Sequence, residues 1–263
     1  MNDWLQGMIL AVVQGLTEFL PISSSAHLVL PAQVLGWPDQ GLAFDVAVHV
    51  GSLLAVILYF RADLFSLATG SVAALRTRHW NHQASMVFYL FLGTIPVGLA
   101  GLLLDGWIEA EMRSVAVIAS TTILFGLLLG WADQREHGQA HLNIRIACLV
   151  GLAQALAIIP GTSRSGVTMT VGLLCGLDRQ TAARFSFLLS IPVIAAAGLL
   201  KTMQLAALGE QVPWGLLLSA ALLAGLTAYA CIAVFLRLLD RVGLMPFVIY
   251  RCLLGILLFY LWW

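Results

Sequence analysis

The chain has 263 residues, of which 60% are hydrophobic and only 10% charged, with a formal net charge of zero and a mean hydropathy of +0.95. A soluble domain carries about 25% charged residues, so this chain cannot cover a water-facing surface and its solvent is lipid. The net charge of zero says nothing about a nucleic-acid partner, and no basic tract, zinc-ligand spacing or aromatic-rich basic face suggests one.

In chain order, the N-terminus carries Asp3 where a signal peptide would be basic, and no cleavage site follows, so a removable signal is not expected. Residues 4–35 are apolar but interrupted at Pro21. Spans long enough to cross a bilayer follow at about 42–60, 84–104 and 115–132. Residues 145–176 repeat the interrupted pattern around Pro160 and Gly161, and three more spans follow at about 185–200, 214–236 and 246–262. Proline removes a backbone donor and clashes with the preceding turn, and serines offer the freed backbone competing hydrogen bonds. Irregular backbone at membrane depth is tolerated only where protein or a water-filled cavity surrounds it. Each interrupted stretch therefore reads as a re-entrant hairpin. Cys148, Cys175, Cys231 and Cys252 lie in apolar runs without metal-ligand spacing and read as small buried hydrophobes. Trp107, Trp214, Trp262 and Trp263 fall near span ends, where interfacial tryptophans belong.

The two halves resemble each other. Gln14 aligns with Gln154, Pro21 with Pro160, Gly36 with Gly176 and Phe44 with Phe185, a shift of about 140 residues. Three spans after each hairpin invert the second half relative to the first, an architecture of many transporters. The expected fold is an all-α polytopic membrane protein, a single integral membrane domain over 1–263. It comprises an inverted repeat of halves about 1–135 and 140–263, each a re-entrant hairpin plus three transmembrane helices. On that topology one side receives Arg61, Arg76, Arg78, Arg135, Arg145, Arg179, Arg184, Arg237 and Arg241, the other only Arg113 and Lys201. The arginine-rich side is the cytoplasm. Both termini and the mouth of the first hairpin then lie outside.

Polar groups in lipid are expensive and mark working sites. In PGTSRSG (160–166), Gly161 and Gly166 permit close backbone approach, Ser163, Ser165 and Thr168 bring hydroxyls, and a half-helix starting near Ser165 presents free N–H groups. Arg164 adds a planar fork that suits phosphate. These parts describe an oxyanion cradle, which a carboxylate could also use. In QGLTEFLPISSSAH (14–27), Gln14 and Glu18 share one helix face, and Ser23, Ser24 and His27 follow the break. A serine or histidine beside a base suits covalent phosphoryl or acyl transfer. Arg251, inside the last span, reads either as snorkelling to an interface or pairing for structure, or as a further anion contact. Asp45 and His49, four apart in the first span, read as a hydrogen-bonded lining pair.

QGLTEFLPISSSAH and PGTSRSGVT, with FSFLL (185–189) and PFVIYR (246–251), resemble the undecaprenyl-diphosphatase family linked to bacitracin resistance, over essentially the whole chain. The resemblance implies an enzyme of the bacterial inner membrane that hydrolyses undecaprenyl diphosphate at a periplasm-facing site and recycles the lipid carrier for cell-wall polymers. It implies Glu18 as the essential acid, Ser24 or His27 as nucleophile, and Ser163, Arg164 and Thr168 as holders of the diphosphate, with Gln14, Ser23, Ser165 and Arg251 as further substrate contacts. It also implies a divalent cation, magnesium or calcium, with Glu18 and Gln14 as its protein ligands. Gln14 stands where the family motif also admits Glu, which leaves a single carboxylate in this segment. Expected partners are the polyprenyl diphosphate, the bilayer and, as a homodimer, a second copy of the chain. The nucleophile stays open between Ser24, His27 and water. A polyprenyl-phosphate flippase using the same anion site is the alternative, because inverted repeats suit alternating access. A lipid phosphatase of the acid-phosphatase type lacks its motif here, since no histidine follows Arg164 in the same helix.

Overall fold

The computed structural model describes residues 3–135, 138–208 and 213–262. Eleven α-helices carry the described chain: α1 Asp3–Thr17, α2 Ser24–Leu35, α3 Gly41–Tyr59, α4 Arg61–Thr77, α5 His82–Glu111, α6 Val115–Asp133, α7 Ile144–Gln154, α8 Arg164–Leu174, α9 Arg179–Leu208, α10 Trp214–Val242 and α11 Met245–Trp262. All six expected spans are helices long and apolar enough to cross a bilayer, namely α3, α5, α6, α9, α10 and α11. Their outward faces are strongly apolar, with Leu103 79% and Leu218 65% exposed. Lipid is the only solvent in which such faces are stable. Trp107, Trp214 and Trp262 are exposed near helix ends, whereas Trp263 lies outside the described residues.

One element differs from the expectation. Residues 61–77, which lie between the first two expected spans and carry no expected element, form α4 and pack on α5. Arg61, Asp63 and Arg76 hold its hydropathy below that of a span, and Asp63 accepts from Arg184 at 2.6 Å, tying α4 to α9. Asn81 caps α5 by accepting from Ala84 N–H and donates to the Gly70 carbonyl of α4. At the same end Asp133, at the close of α6, accepts from Arg179 Nε at 2.6 Å and from the Leu244 N–H at 3.1 Å. The arginine-rich loops are thus drawn together by ion pairs.

α1 lies against α10, the second span of the other half, and α7 lies against α5, its counterpart. Small residues make both contacts close. A Cβ at Gly15 would strike Thr227 and the α10 backbone, and one at Gly151 would sit 2.6 Å from the Gly93 Cα. Small residues serve this purpose in membranes, where dispersion rather than the hydrophobic effect holds helices together. Between the halves, Phe187 is flanked by Phe19 at 5.4 Å and Phe235 at 5.7 Å between ring centroids.

Both interrupted stretches break where expected. α1 gives way at residues 18–23 before α2. α7 runs through a 3-10 turn at Ala155–Ile158 and an irregular segment before α8. The second helix of each pair starts from a serine with positive φ, Ser23 (φ 74°, ψ 95°) and Ser163 (φ 69°, ψ 111°), 140 residues apart. This conformation costs a non-glycine residue of order 1–3 kcal/mol and persists only where its surroundings hold it.

Arg251 supplies much of that hold. It is completely buried, and its guanidinium donates to the carbonyls of Pro21 (3.1 Å), Gly161 (2.9 Å), Thr162 (3.0 Å), Thr122 (3.0 Å) and Thr121 (3.4 Å). Among the described residues no carboxylate pairs with it. Both breaks are therefore bound to one side chain. Glycines make the room: a Cβ at Gly126 would lie 3.0 Å from the Arg251 Cβ, and one at Gly166 2.9 Å from its Nη1. Gly161 itself has φ +89°, and a Cβ there would strike Thr121. Polar contacts inside membrane proteins average about 0.6 kcal/mol, so loss of this set costs roughly 3 kcal/mol. Arg251→Met is expected to lower the thermal unfolding midpoint in detergent markedly. Arg251→Lys, with three donors on one nitrogen, should recover only part. An Arg251→Met protein as stable as the parent would contradict this clamp.

Candidate active site

Glu18 is the point where the two breaks meet. It sits one residue beyond the end of α1, 9% exposed. Its Oε2 accepts from Ser24 Oγ at 2.7 Å and from Gln14 Nε2 at 3.0 Å, and its Oε1 accepts from Arg164 Nη2 at 3.1 Å. Gln14 reaches it because residues four apart share a helix face. Ser24 and Arg164 reach it because each is the first residue of its half-helix, directly after a left-handed serine. They occupy equivalent positions in the repeat, again 140 apart. The N-terminal ends of α2 and α8 thus converge on one carboxylate. Backbone N–H groups and the helix dipole favour an anion at such ends.

Glu18, Ser24 and Arg164, but not the buried Gln14, line a cavity of about 170 Å³ with Ser23, Ser25, His49, Ala157 and Ser163. Through Ser25 and His49 it adjoins a second cavity of about 270 Å³, whose walls include Trp37, Asp39, Phe44, Asp45 and Arg113. Arg164 is held in place from behind. Its Nη1 donates to the Ser186 carbonyl at 3.3 Å, and its guanidinium lies 5.9 Å from the centre of the Phe19 ring. The Glu18 and Arg164 charges cancel within the cavity. An entering phosphate therefore adds charge that the two leave uncompensated.

The other sequence candidates fall in different places. Ser163 lines the cavity while its Oγ caps α8, accepting from Gly166 N–H at 3.1 Å. Ser165 donates to the Leu20 carbonyl at 2.8 Å, and Thr168 shares a 2.7 Å bond with Ser186 Oγ. Both hydroxyls tie elements together and neither lines the cavity, nor does Arg251, whose donors are taken by carbonyls. His27 faces away from Glu18. Its ring nitrogens are engaged by the Ser23 carbonyl and the Tyr250 hydroxyl.

His49 gains weight instead. Its Nδ1 bonds the Asp45 backbone carbonyl at 2.7 Å, not the carboxylate, and its Nε2 lies 3.9 Å from Glu18 Oε2. The available signal was an ionisable pair inside an apolar span. Ser186 gave no signal, since one hydroxyl in a helix is ordinary.

For a divalent cation, the cavity offers one carboxylate, Glu18, and several hydroxyls; behind Glu18, Gln14 bonds it through Nε2 and has a buried Oε1 without a hydrogen-bond partner. No cluster of three or more His, Cys, Asp or Glu residues exists among the described residues. This set does not enclose an ion. It fits magnesium's habit of binding through one or two carboxylates plus substrate phosphates.

The profile of the family described as bacitracin resistance protein BacA matches residues 7–257. An undecaprenyl-diphosphatase of Hahella chejuensis is 57% identical over 254 residues, 96% of each chain. Proteins of the same name from Alcanivorax borkumensis and Chromohalobacter salexigens are 54% and 55% identical. The first alignment covers 98% of this chain and 99% of the relative, the second 97% and 98%.

Proposed function

The chain belongs to the bacitracin-resistance protein family, and from that membership we propose that it hydrolyses undecaprenyl diphosphate to undecaprenyl phosphate and inorganic phosphate. This reaction returns the lipid carrier to cell-wall polymer synthesis. The relatives' shared name favours the phosphatase over the flippase alternative. The observation that carries the site assignment is Glu18, which receives Ser24 from one break and Arg164 from the other.

The terminal phosphate enters at the N-terminal ends of α2 and α8, where Arg164 and the backbone N–H groups hold its oxygens. Glu18 accepts the Ser24 hydroxyl proton as Oγ attacks the terminal phosphorus. The bond to the bridging oxygen breaks, and undecaprenyl phosphate leaves with the bonding electron pair. Water then attacks the phosphoserine, protonated Glu18 returns its proton to the departing Ser24 Oγ, and phosphate leaves with the water's protons, which restores Ser24 and the Glu18 carboxylate. Phosphoryl transfer needs mainly positioning and charge stabilisation, and this cavity supplies both. Glu18 and Gln14 Oε1 would hold a divalent cation, which would offset the negative charge of the phosphate oxygens. His27, turned toward Tyr250, is assigned no direct role in the transfer.

Phosphate release from the lipid diphosphate by protein purified in detergent tests this. Ser24→Ala is expected to lose roughly 10³-fold or more in kcat, as removal of a nucleophile does, and Arg164→Ala roughly 10²–10³-fold. Chelation should abolish turnover, with magnesium or calcium restoring it. Near-normal activity of Arg164→Ala, or undiminished turnover in chelator, would overturn the corresponding assignment.

The site is placed on the periplasmic side of the bacterial inner membrane, with re-entrant hairpins and both termini outside. The clustering of Arg179 with Asp133 and Arg184 with Asp63 at one end, opposite the cavity rim of Asp39, Asp45 and Arg113, supports this orientation. In a cysteine-free background, Asp39→Cys should react with a membrane-impermeant maleimide in intact spheroplasts, and Arg78→Cys only after permeabilisation. The reverse pattern would invert the topology.

A further inference from the structure

Helix α11 grips the first break through two consecutive residues. Arg251 takes the Pro21 carbonyl directly. Tyr250 reaches the same break through a ring. Its hydroxyl bonds His27 Nε2 at 2.5 Å, the two rings stack at 8° with centroids 5.6 Å apart, and His27 Nδ1 bonds the Ser23 carbonyl at 2.7 Å. A carbonyl can only accept, so the ring proton is on Nδ1. Nε2 is then the acceptor, and Tyr250 donates to it.

The second break shows why such a chain is needed. Ser163 has the same left-handed backbone and is fixed locally, its Oγ accepting from the Gly166 N–H. Ser23 makes no side-chain cap bond, and its Oγ lies 3.2 Å from Ser25 Oγ instead. Where the first break has His27, the second has Val167, which can offer no such bond. At the second break the Ser163 carbonyl accepts the Val167 backbone N–H at 2.9 Å, whereas at the first the corresponding backbone bond is 3.4 Å long and the His27 ring adds a second hold on the Ser23 carbonyl. The residue after Ser23 is Ser24, whose Oγ rests 2.7 Å from the Glu18 carboxylate.

We propose that Tyr250 is a positioning residue for the diphosphatase reaction: acting through His27, it fixes the Ser23 carbonyl and thereby the direction in which Ser24 Oγ meets Glu18. The proposal rests on the reading of Ser24 and Glu18 given above. It assigns His27 to the same positioning chain and withdraws it from proton or phosphoryl transfer. A misplaced attacking group loses rate while leaving substrate affinity largely intact.

The test is steady-state phosphate release by the purified wild type, Tyr250→Phe, His27→Asn, His27→Ala and the double variant Tyr250→Phe with His27→Ala. Tyr250→Phe keeps the stacked ring and loses only the donor. It is expected to lower kcat about 5- to 20-fold, with KM within about twofold. His27→Asn places an amide N–H near where Nδ1 stood and should retain several-fold more kcat than His27→Ala. Adding Tyr250→Phe to His27→Ala should lower kcat no further. Wild-type kcat in Tyr250→Phe, or His27→Asn as impaired as His27→Ala, would overturn the proposal. A wild type that releases no phosphate would instead overturn the diphosphatase reading on which it stands.

Discussion

Irregular backbone inside a membrane needs a partner for every carbonyl it frees, and here one guanidinium serves both breaks. Arg251 binds Pro21 on one side and Gly161 and Thr162 on the other. Its fixed planar fork can address several carbonyls at once, which a point-charge ammonium cannot. Around it Gly126 and Gly166 leave space, and Thr121 supports Gly161 and Pro160 from α6. The distance between the two half-helix ends is set by this side chain, and with it the distance between Ser24 and Arg164. Two buried arginines thus divide the work. Arg251 binds backbone, and Arg164 is left facing the carboxylate and the cavity.

On that frame the repeat has been specialised position by position. Ser24 and Arg164 are counterparts, one with a hydroxyl on the Glu18 carboxylate and the other with a charge that suits phosphate. Gln14 bonds Glu18, while its counterpart Gln154 donates to the Gly93 carbonyl and serves packing. His27 reaches Ser23, while Val167 is buried against α8's surroundings. Two similar helix ends, those of α2 and α8, meet at Glu18. Chemistry then requires them to differ, because one end must hold the anion and the other must react with it.

Much of this was legible in the sequence, for definite reasons. Hydropathy located six spans because lipid imposes the same demand on each. Pro21 and Pro160 with their serines marked the breaks, because proline and hydroxyls there have no place in a continuous helix. Helix α4 was not visible. Arg61, Asp63, Arg76 and its small polar residues lower its hydropathy to that of a loop, and its helicity depends on contact with α5. The directions of side chains were also hidden. His27 lies three residues beyond Ser24, which suggested one shared site, yet Tyr250, 223 residues away, turns its ring elsewhere. Arg251 looked like an anion contact, and only the positions of Pro21 and Gly161 in space show that carbonyls consume its donors. His49 was recognised as a lining residue but not as a neighbour of Glu18.

The account turns on Ser24 attacking the terminal phosphorus with Glu18 taking its proton. The most direct measurement is acid quenching of the purified protein during turnover of substrate labelled in its terminal phosphate, followed by peptide mapping. Label is expected on Ser24, absent from Ser24→Ala and strongly reduced in Glu18→Gln. Label on His27, or no phosphoenzyme together with an active Ser24→Ala protein, would contradict it.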